Sequence, residues 1–513
     1  MRDSSASSLS FFNRREAWFI GGLIAVSFAI RAVHPGLMEF KHDEAVTWIR
    51  VSALVSGTEF SSTGLVSSIG VANCPLFLYI IAILKILLRH PEKLILPIAL
   101  LNSVAIWLAF RAIRIIYDRK TAWLTALFYA FSPCAVFFSR KIWAQDLMPF
   151  WILVMFHSAA VLARSENLST TRRAVHSFLL AVFLVTSPQI HLSALFLFPV
   201  YGIWLFLWRR KLHFRFFLCG VLVGAIPAIP YFIYLAAELY TGQGISLNHS
   251  VSAWHLHLKD MVNFLVRQPA DETFSGHLGN EYFAFLRSLP GYSALRYLLS
   301  GLVALGVLLA MHGAISRASV SRSADRSMVF LLVVPWVLLM VTGVRPIPAY
   351  FIIFYPLPFL CVAISFARGH DFLSRRVRPV LSFVLVAALI FLFLAYNVAY
   401  TTLFLHKVRR EGGTKGEYGP TYATTYVAAE EILTSGTDPA SLSEVQLPLL
   451  AVIFDIKNSW RLSSKESLME SEEMRLLSGD PKLAHQSIGE PLTPSQRAEA
   501  VRTRTLVLKL IGE

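Results

Sequence analysis

Charge is what this sequence has least of. Only 15% of its 513 residues are Asp, Glu, Lys or Arg, against about 25% in an ordinary soluble domain. A mean hydropathy of +0.56 accompanies the deficit. Together they argue against a soluble globular chain and for one embedded in lipid. Cysteine is scarce as well: Cys74, Cys134, Cys219 and Cys361 form no CxxC pair and lie in or beside apolar runs. They read as inert buried thiols, with no cysteine-based metal site. No basic stripe or recognition helix appears, so the net charge of +15 does not point to nucleic acid. No internal repeat is evident, and the Ser-rich first ten residues are the only low-complexity tract.

What is present is a series of apolar runs. Arg14-Arg15 precedes an apolar stretch from Ala17 to Ile30. No small-residue cleavage site follows, so it reads as a retained first span. A helix crosses the hydrocarbon core with about 20 apolar residues. Candidate spans lie near 17–33, 95–116, 121–138, 146–163, 174–189, 191–208, 214–236, 293–315, 327–344, 349–367 and 379–400. Another stretch, Cys74–Leu88, is ambiguous in length. If it does not cross, five basic clusters share the side of the N-terminus. These are Arg111/Arg114/Arg119/Lys120, Arg164/Arg172/Arg173, Arg209/Arg210/Lys211/Arg215, Arg317/Arg322/Arg326 and Arg368/Arg375/Arg376/Arg378. Positive residues concentrate on the cytoplasmic side, so this arrangement is favoured. Cys74–Leu88 then becomes a juxtamembrane or re-entrant helix.

The expected fold class is an all-α polytopic membrane protein with about eleven spans. Residues 1–16 form a cytoplasmic tail, and 17–400 a transmembrane catalytic domain with outer loops at about 34–94 and 238–292. Residues 401–513 form an extracytoplasmic C-terminal region. There, Val427–Leu433 reads as helix, while Leu450–Phe454 and Thr505–Leu510 read as strands of a small α/β module.

Ionisable residues at a membrane boundary are costly and mark functional suspects. The sharpest cluster is Glu39-Phe-Lys41-His42-Asp43-Glu44 in the first outer loop. Asp43 could simply cap a surface helix over Glu44–Ser56, a role compatible with catalysis. A second cluster, Ser139-Arg140-Lys141 through Gln145-Asp146, occupies a short outer turn. A basic pair there suits an anionic ligand better than an anchoring role. Arg345-Pro-Ile-Pro-Ala-Tyr350 is a third outward-facing turn, and Ser187-Pro-Gln-Ile-His191 a fourth. His255-x-His257 would be a poor chelate on a helix, and Asn248-His-Ser250 fits the glycan sequon, a pattern common by chance.

In their order and common outer placement, these motifs resemble the GT-C class of membrane glycosyltransferases. The likeness is to the family 39 branch, which holds protein O-mannosyltransferases and lipid A aminoarabinose transferases. The carriers are His42-Asp43-Glu44-Ala45, Asn73-Cys-Pro75-Leu-Phe-Leu-Tyr79, Pro133 with Ser139-Arg140 and Asp146, and Arg345-Pro-Ile-Pro-Ala-Tyr-Phe351. Asn73-Cys74-Pro75 departs from the Pro-Pro pair of many relatives, and the likeness covers roughly residues 15–400, leaving the C-terminal region outside it. The resemblance implies transfer of a sugar from a polyprenyl-phosphate donor to a lipid, glycan or protein acceptor, with inversion. Asp43 would be the catalytic base, with Glu44 beside it. Arg140, Lys141 and Arg345 would bind the donor phosphate, and His42, Asp146, His191 and Tyr350 would line the substrate site. No metal is indicated, although relatives differ on that point. Alternatives are a lipid-linked oligosaccharide polymerase or ligase, and a non-catalytic transporter or flippase.

Overall fold

The computed structural model describes residues 14–67, 70–164, 168–241, 254–271, 273–316, 319, 321–342, 347–443, 446–459, 474–478 and 494–512. Among them the architecture is all-α; β-type pairing is confined to isolated bridges such as Glu39 with Thr421. In chain order the helices are α1 (Arg14–Ala32), α2 (His42–Ser56), α3 (Leu76–Leu88), α4 (Ile95–Ile116), α5 (Arg119–Phe131) and α6 (Pro133–Phe137). Next come α7 (Ala144–Arg164), α8 (Thr170–Ile190), α9 (Phe198–Leu207), α10 (Phe214–Ala225) and α11 (Ile229–Tyr240). Then follow α12 (Trp254–Arg267), α13 (Phe274–Leu278), α14 (Tyr282–Arg287), α15 (Tyr292–Ile315) and α16 (Arg322–Thr342). The chain continues with α17 (Leu357–Leu373), α18 (Pro379–Glu411), α19 (Tyr422–Thr434), α20 (Leu447–Ser459) and a C-terminal helix, Pro494–Gly512.

Among the described residues, seven helices are long and apolar enough to cross a membrane, or up to eight if one bent pair counts as a single span. The chain is thus a multi-pass membrane protein, with fewer clear spans than the eleven expected. Each shortfall has a physical cause. The 17–33 segment is helical, but α1 keeps Arg14, Arg15, Glu16 and Arg31 within its 19 residues. The 121–138 segment breaks at Pro133, which has no N–H to continue the ladder; Ser132 then caps α6 by accepting from Ala135 N. The 191–208 segment is a short 3-10 turn followed by the ten-residue α9. The 349–367 segment is the bent pair, turning 61° between a 3-10 helix (Pro348–Phe354) and α17. α3 has 13 residues, about 20 Å of helix, too short for a hydrocarbon core of about 30 Å.

The described members of the five basic clusters gather at one end of the bundle. Glu16 near the start of α1 pairs with Arg114 (2.7 Å) and Arg119 (3.1 Å). Arg164 at the end of α7 donates to Ile116 O, and Lys211 to Ala163 O. Arg368 pairs with Asp325 at 2.7 Å, and Arg326 donates to Ala314 O. At the opposite end Arg140 meets the last carbonyls of α1. Apolar side chains of α10, α11 and α18, including Leu222, Phe232, Phe383 and Phe391, stand exposed along the outside, as lipid-facing residues do.

The C-terminal region corrects the sequence reading. Val427–Leu433 is helical within α19, but the two expected strands are helices. Leu450–Phe454 lies in α20, and Thr505–Leu510 in the C-terminal helix. α18 runs unbroken through residue 400, and the chain after it returns to the first loop, where Phe40 N donates to Pro420 O and Tyr422 N to Met38 O. The break foreseen at Ser187–His191 falls later, since α8 continues to Ile190 with Pro188 inside it.

Candidate functional site

The first outer loop is held by the C-terminal region before α2 begins. Tyr418 OH donates to Leu37 O at 2.6 Å. α2 then starts at His42 with Lys41 as its N-cap. The cap is closed by Glu44, not by Asp43: Glu44 Oε2 accepts from Lys41 N at 3.0 Å, the reciprocal half of a capping box. This releases Asp43 from the bland role considered for it. Asp43 sits half-buried in the first turn, and among the described residues no hydrogen bond to its carboxylate is formed. The positive end of the helix dipole favours its charge. α2 is not a surface helix with one apolar face: every residue from Glu44 to Ala53 except Arg50 is buried, packed by α3, α20 and the C-terminal helix. Burial, and then the Asp43 charge, push the Glu44 carboxyl up to about 7. Burial lowers the His42 imidazole, whose Nε2 has no hydrogen-bond partner.

A second set of charges faces α2 from beneath. Glu39 is fully buried between two cations, Lys41 at 2.6 Å and Lys141 on its other carboxylate oxygen. Lys141 is itself buried, over the rings of Phe137 and Trp143 at 4.6 and 3.9 Å. Desolvation lowers its ammonium from the ordinary value, and Glu39 supplies the counter-charge. Lys41 reaches further, to Glu417 O at 2.5 Å. Asp146, in the first turn of α7, is fully buried, and neither carboxylate oxygen has a hydrogen-bond partner. It feels the charges of Lys141 and Glu44. Buried, unpartnered carboxylate oxygens are rare and need an explanation.

Arg140 stands apart from this arrangement. Its guanidinium is buried and donates to Arg31 O at 2.7 Å and His34 O at 3.0 Å. It caps the C-terminal end of α1 and fixes the turn from which Lys141 projects. Beside it lies a polar group at the end of α8. Gln145 Nε2 and His191 Nε2 are 3.1 Å apart, His191 Nδ1 meets Ser193 Oγ at 2.8 Å, and the Tyr350 ring lies 5.5 Å from the His191 ring. Leu192 N donates to Asn73 Oδ1, which brings the Asn73-Cys74-Pro75 motif to the same group.

The structure therefore brings His42, Asp43, Glu44, Lys141 and Asp146 together, with His191 and Tyr350 alongside. Arg345, His249 and the Asn248 sequon lie outside the described residues, as do the side chains of His255 and His257. Sequence reasoning missed Glu39 as the partner of Lys141, although it lies four residues before Asp43. It also missed Glu417 and Tyr418, which only the return of the C-terminal region could reveal. Among the described residues no group of three or more His, Cys, Asp or Glu side chains is placed to hold a metal ion.

No family model and no curated protein matches the chain by sequence. Among solved structures, the oligosaccharyltransferase of Archaeoglobus fulgidus in complex with zinc and sulfate superposes with a TM-score of 0.51. The identity is 12%, over 84% of this chain and 56% of that one. ArnT from Cupriavidus metallidurans bound to undecaprenyl phosphate is matched with a TM-score of 0.43 and 11% identity, over 97% of this chain and 78% of that one. This chain thus spans little more than half the length of the oligosaccharyltransferase. The fold of this chain is similar to that of the oligosaccharyltransferase. At such identities the likeness is one of fold.

Proposed function

We propose that the chain is a GT-C glycosyltransferase that moves a sugar from a polyprenyl-phosphate donor to an extracytoplasmic acceptor. The observation that carries this reading is Asp43: a carboxylate at a helix start, free of the capping role, above a buried cluster of compensated charge. In the reaction, an acceptor oxygen forms a bond to the anomeric carbon while the bond from that carbon to the phosphate oxygen breaks. The acceptor's proton passes to Asp43. Polyprenyl phosphate leaves as an anion, so cationic donors replace a general acid. Direct displacement inverts the anomeric centre. Glu44 caps the helix and holds Asp43 in place. Lys41, which feels the Asp43 charge, and Lys141, which shares Glu39 with it, would meet the phosphate, with Arg345 a further candidate. Arg140 acts as a positioning residue through the turn it pins.

The topology belongs to the same proposal: eleven traverses, N-terminus in the cytoplasm, site and C-terminus outside. It is supported by the gathering of the basic clusters at the end where α1 begins, which the positive-inside rule assigns to the cytoplasm. Asp43→Asn keeps the shape and removes the proton acceptor. Turnover of a labelled polyprenyl-phosphate sugar is expected to fall about 10²–10⁴-fold, with membrane insertion and folding intact. Near-normal turnover would remove Asp43 from the chemistry.

A further inference from the structure

A cavity of about 500 Å³ lies against the second half of α2, between the 59–66 loop and the C-terminal helix. That volume falls within the roughly 300–1,000 Å³ of small-molecule sites. Arg50 lines it. Arg50 follows Asp43 by seven residues, about two helical turns, so both side chains leave α2 on one face. From the far wall, the Glu499 carboxylate feels the charges of both.

The walls are fixed by side chains that tie down the loop backbone. Arg50 donates to Thr63 O at 2.7 Å and Gly64 O at 2.8 Å. Tyr79 OH holds Ser61 O, and Tyr231 OH holds Ala72 O, both at 2.8 Å. Charge inside is balanced: Arg50 pairs with Glu499 at 3.3 Å, and Arg502 with Glu59 at 2.9 Å. An anionic phosphate would meet both carboxylates and have to displace them. A neutral, hydroxyl-rich ligand finds carboxylate acceptors, guanidinium donors and the Ser62 and Thr63 hydroxyls, which serve as either. The Tyr234 ring adds a flat apolar surface for the C–H face of a sugar.

We infer that this cavity is the acceptor site and takes a neutral carbohydrate, read jointly by the first outer loop and the C-terminal helix. The assignment of the bound sugar as acceptor rests on the glycosyltransferase reading above. The C-terminal helix then determines acceptor specificity through Glu499 and Arg502.

The test is saturation-transfer NMR on the purified full-length protein, with methyl glucoside, methyl galactoside and methyl mannoside as probes and inorganic phosphate as competitor. At least one probe should take up saturation, and phosphate should not displace it. Ala498 is exposed and lines the cavity, so Ala498→Trp fills it with little demand on folding, checked by an unchanged unfolding midpoint. It should abolish the signal. Glu499→Gln should weaken binding about tenfold or more, the weight of one charged hydrogen bond. No bound probe, binding indifferent to Ala498→Trp, or displacement by phosphate would each overturn the site. Donor turnover is scored separately. Probe binding without any donor turnover overturns the glycosyltransferase reading and the acceptor role while leaving a carbohydrate site; turnover without probe binding overturns the site alone.

Discussion

The two ends of this bundle carry charge in opposite ways. At the end where α1 begins, arginines and lysines are many and mostly exposed, tied to carbonyls, to the exposed Asp371, or to the buried carboxylates of Glu16 and Asp325. At the other end, beneath exposed charges such as Arg410 and Lys415, the candidate site gathers buried ones: Glu39, Glu44, Arg140, Lys141 and Asp146 all show 4% exposure or less. Exposed cations cost little and suffice to orient a chain in a bilayer. Buried charges are expensive and persist only where neighbours compensate them. The contrast separates residues that place the protein from residues that equip it.

The largest expected contrast between the ends is one of access. A membrane-impermeant thiol reagent added outside should label Arg410→Cys, beyond the membrane on α18, and leave Arg172→Cys unlabelled in intact cells. The reverse pattern would invert the topology and place the site in the cytoplasm. Next comes the buried pair. Lys141→Ala should lower stability by about 3 kcal/mol, the lower range for stripping one partner from a buried ion pair, because Lys41 still faces Glu39. Restoration of most of the loss by Glu39→Gln with Lys141→Met, followed by thermal unfolding in detergent, would show the coupling. An uncoupled, additive double variant would dissolve the pair.

The third contrast is in pH. The Glu44 carboxyl rises from 4.5 to about 7 in the folded chain. Between those values the folded state keeps a proton that the unfolded chain has released. Stability should therefore fall as pH rises through that window, by on the order of 3 kcal/mol. Glu44→Gln should flatten that part of the profile; an unchanged slope would place the titration elsewhere. The smallest effect belongs to the basic end. Lys120→Ala breaks a pair exposed on both sides and should cost about 1 kcal/mol or less. A loss matching that of Lys141→Ala would erase the distinction between the ends.

Much of this was legible in the sequence, for identifiable reasons. Long apolar runs announce membrane helices because the bilayer forces them, and seven of the expected segments are helical over the required length, one of them, α10 with α11, running on through a 3-10 turn at Ile226–Ala228. Asp43-Glu44 stood out because two adjacent acids after an apolar run have few bland explanations. The division of labour between them was hidden, since it depends on which carboxylate bends back to Lys41 N. Leu450–Phe454 was misread because a five-residue apolar run looks alike in a strand and a buried helix. The partners of Arg140 are carbonyls more than a hundred positions upstream, and nothing local signals them. Glu417 and Tyr418 join the site only because the chain returns after α18.

That return has a mechanical consequence. α18 has 33 residues, about 50 Å of rigid rod, while the hydrocarbon layer is about 30 Å deep. The surplus stands clear of the lipid, braced by Lys407 against Glu281 and by Phe404 packed on Phe274 and Tyr418. It ends at Gly412, whose left-handed turn (φ 78°) redirects the chain toward the first loop. The helix is therefore a mast that sets the height of the candidate site above the bilayer. A thicker or thinner membrane changes the tilt of such a rod, so lipid chain length becomes a dial on the placement of that site. Turnover compared in nanodiscs of short-chain and long-chain lipid would read that dial directly.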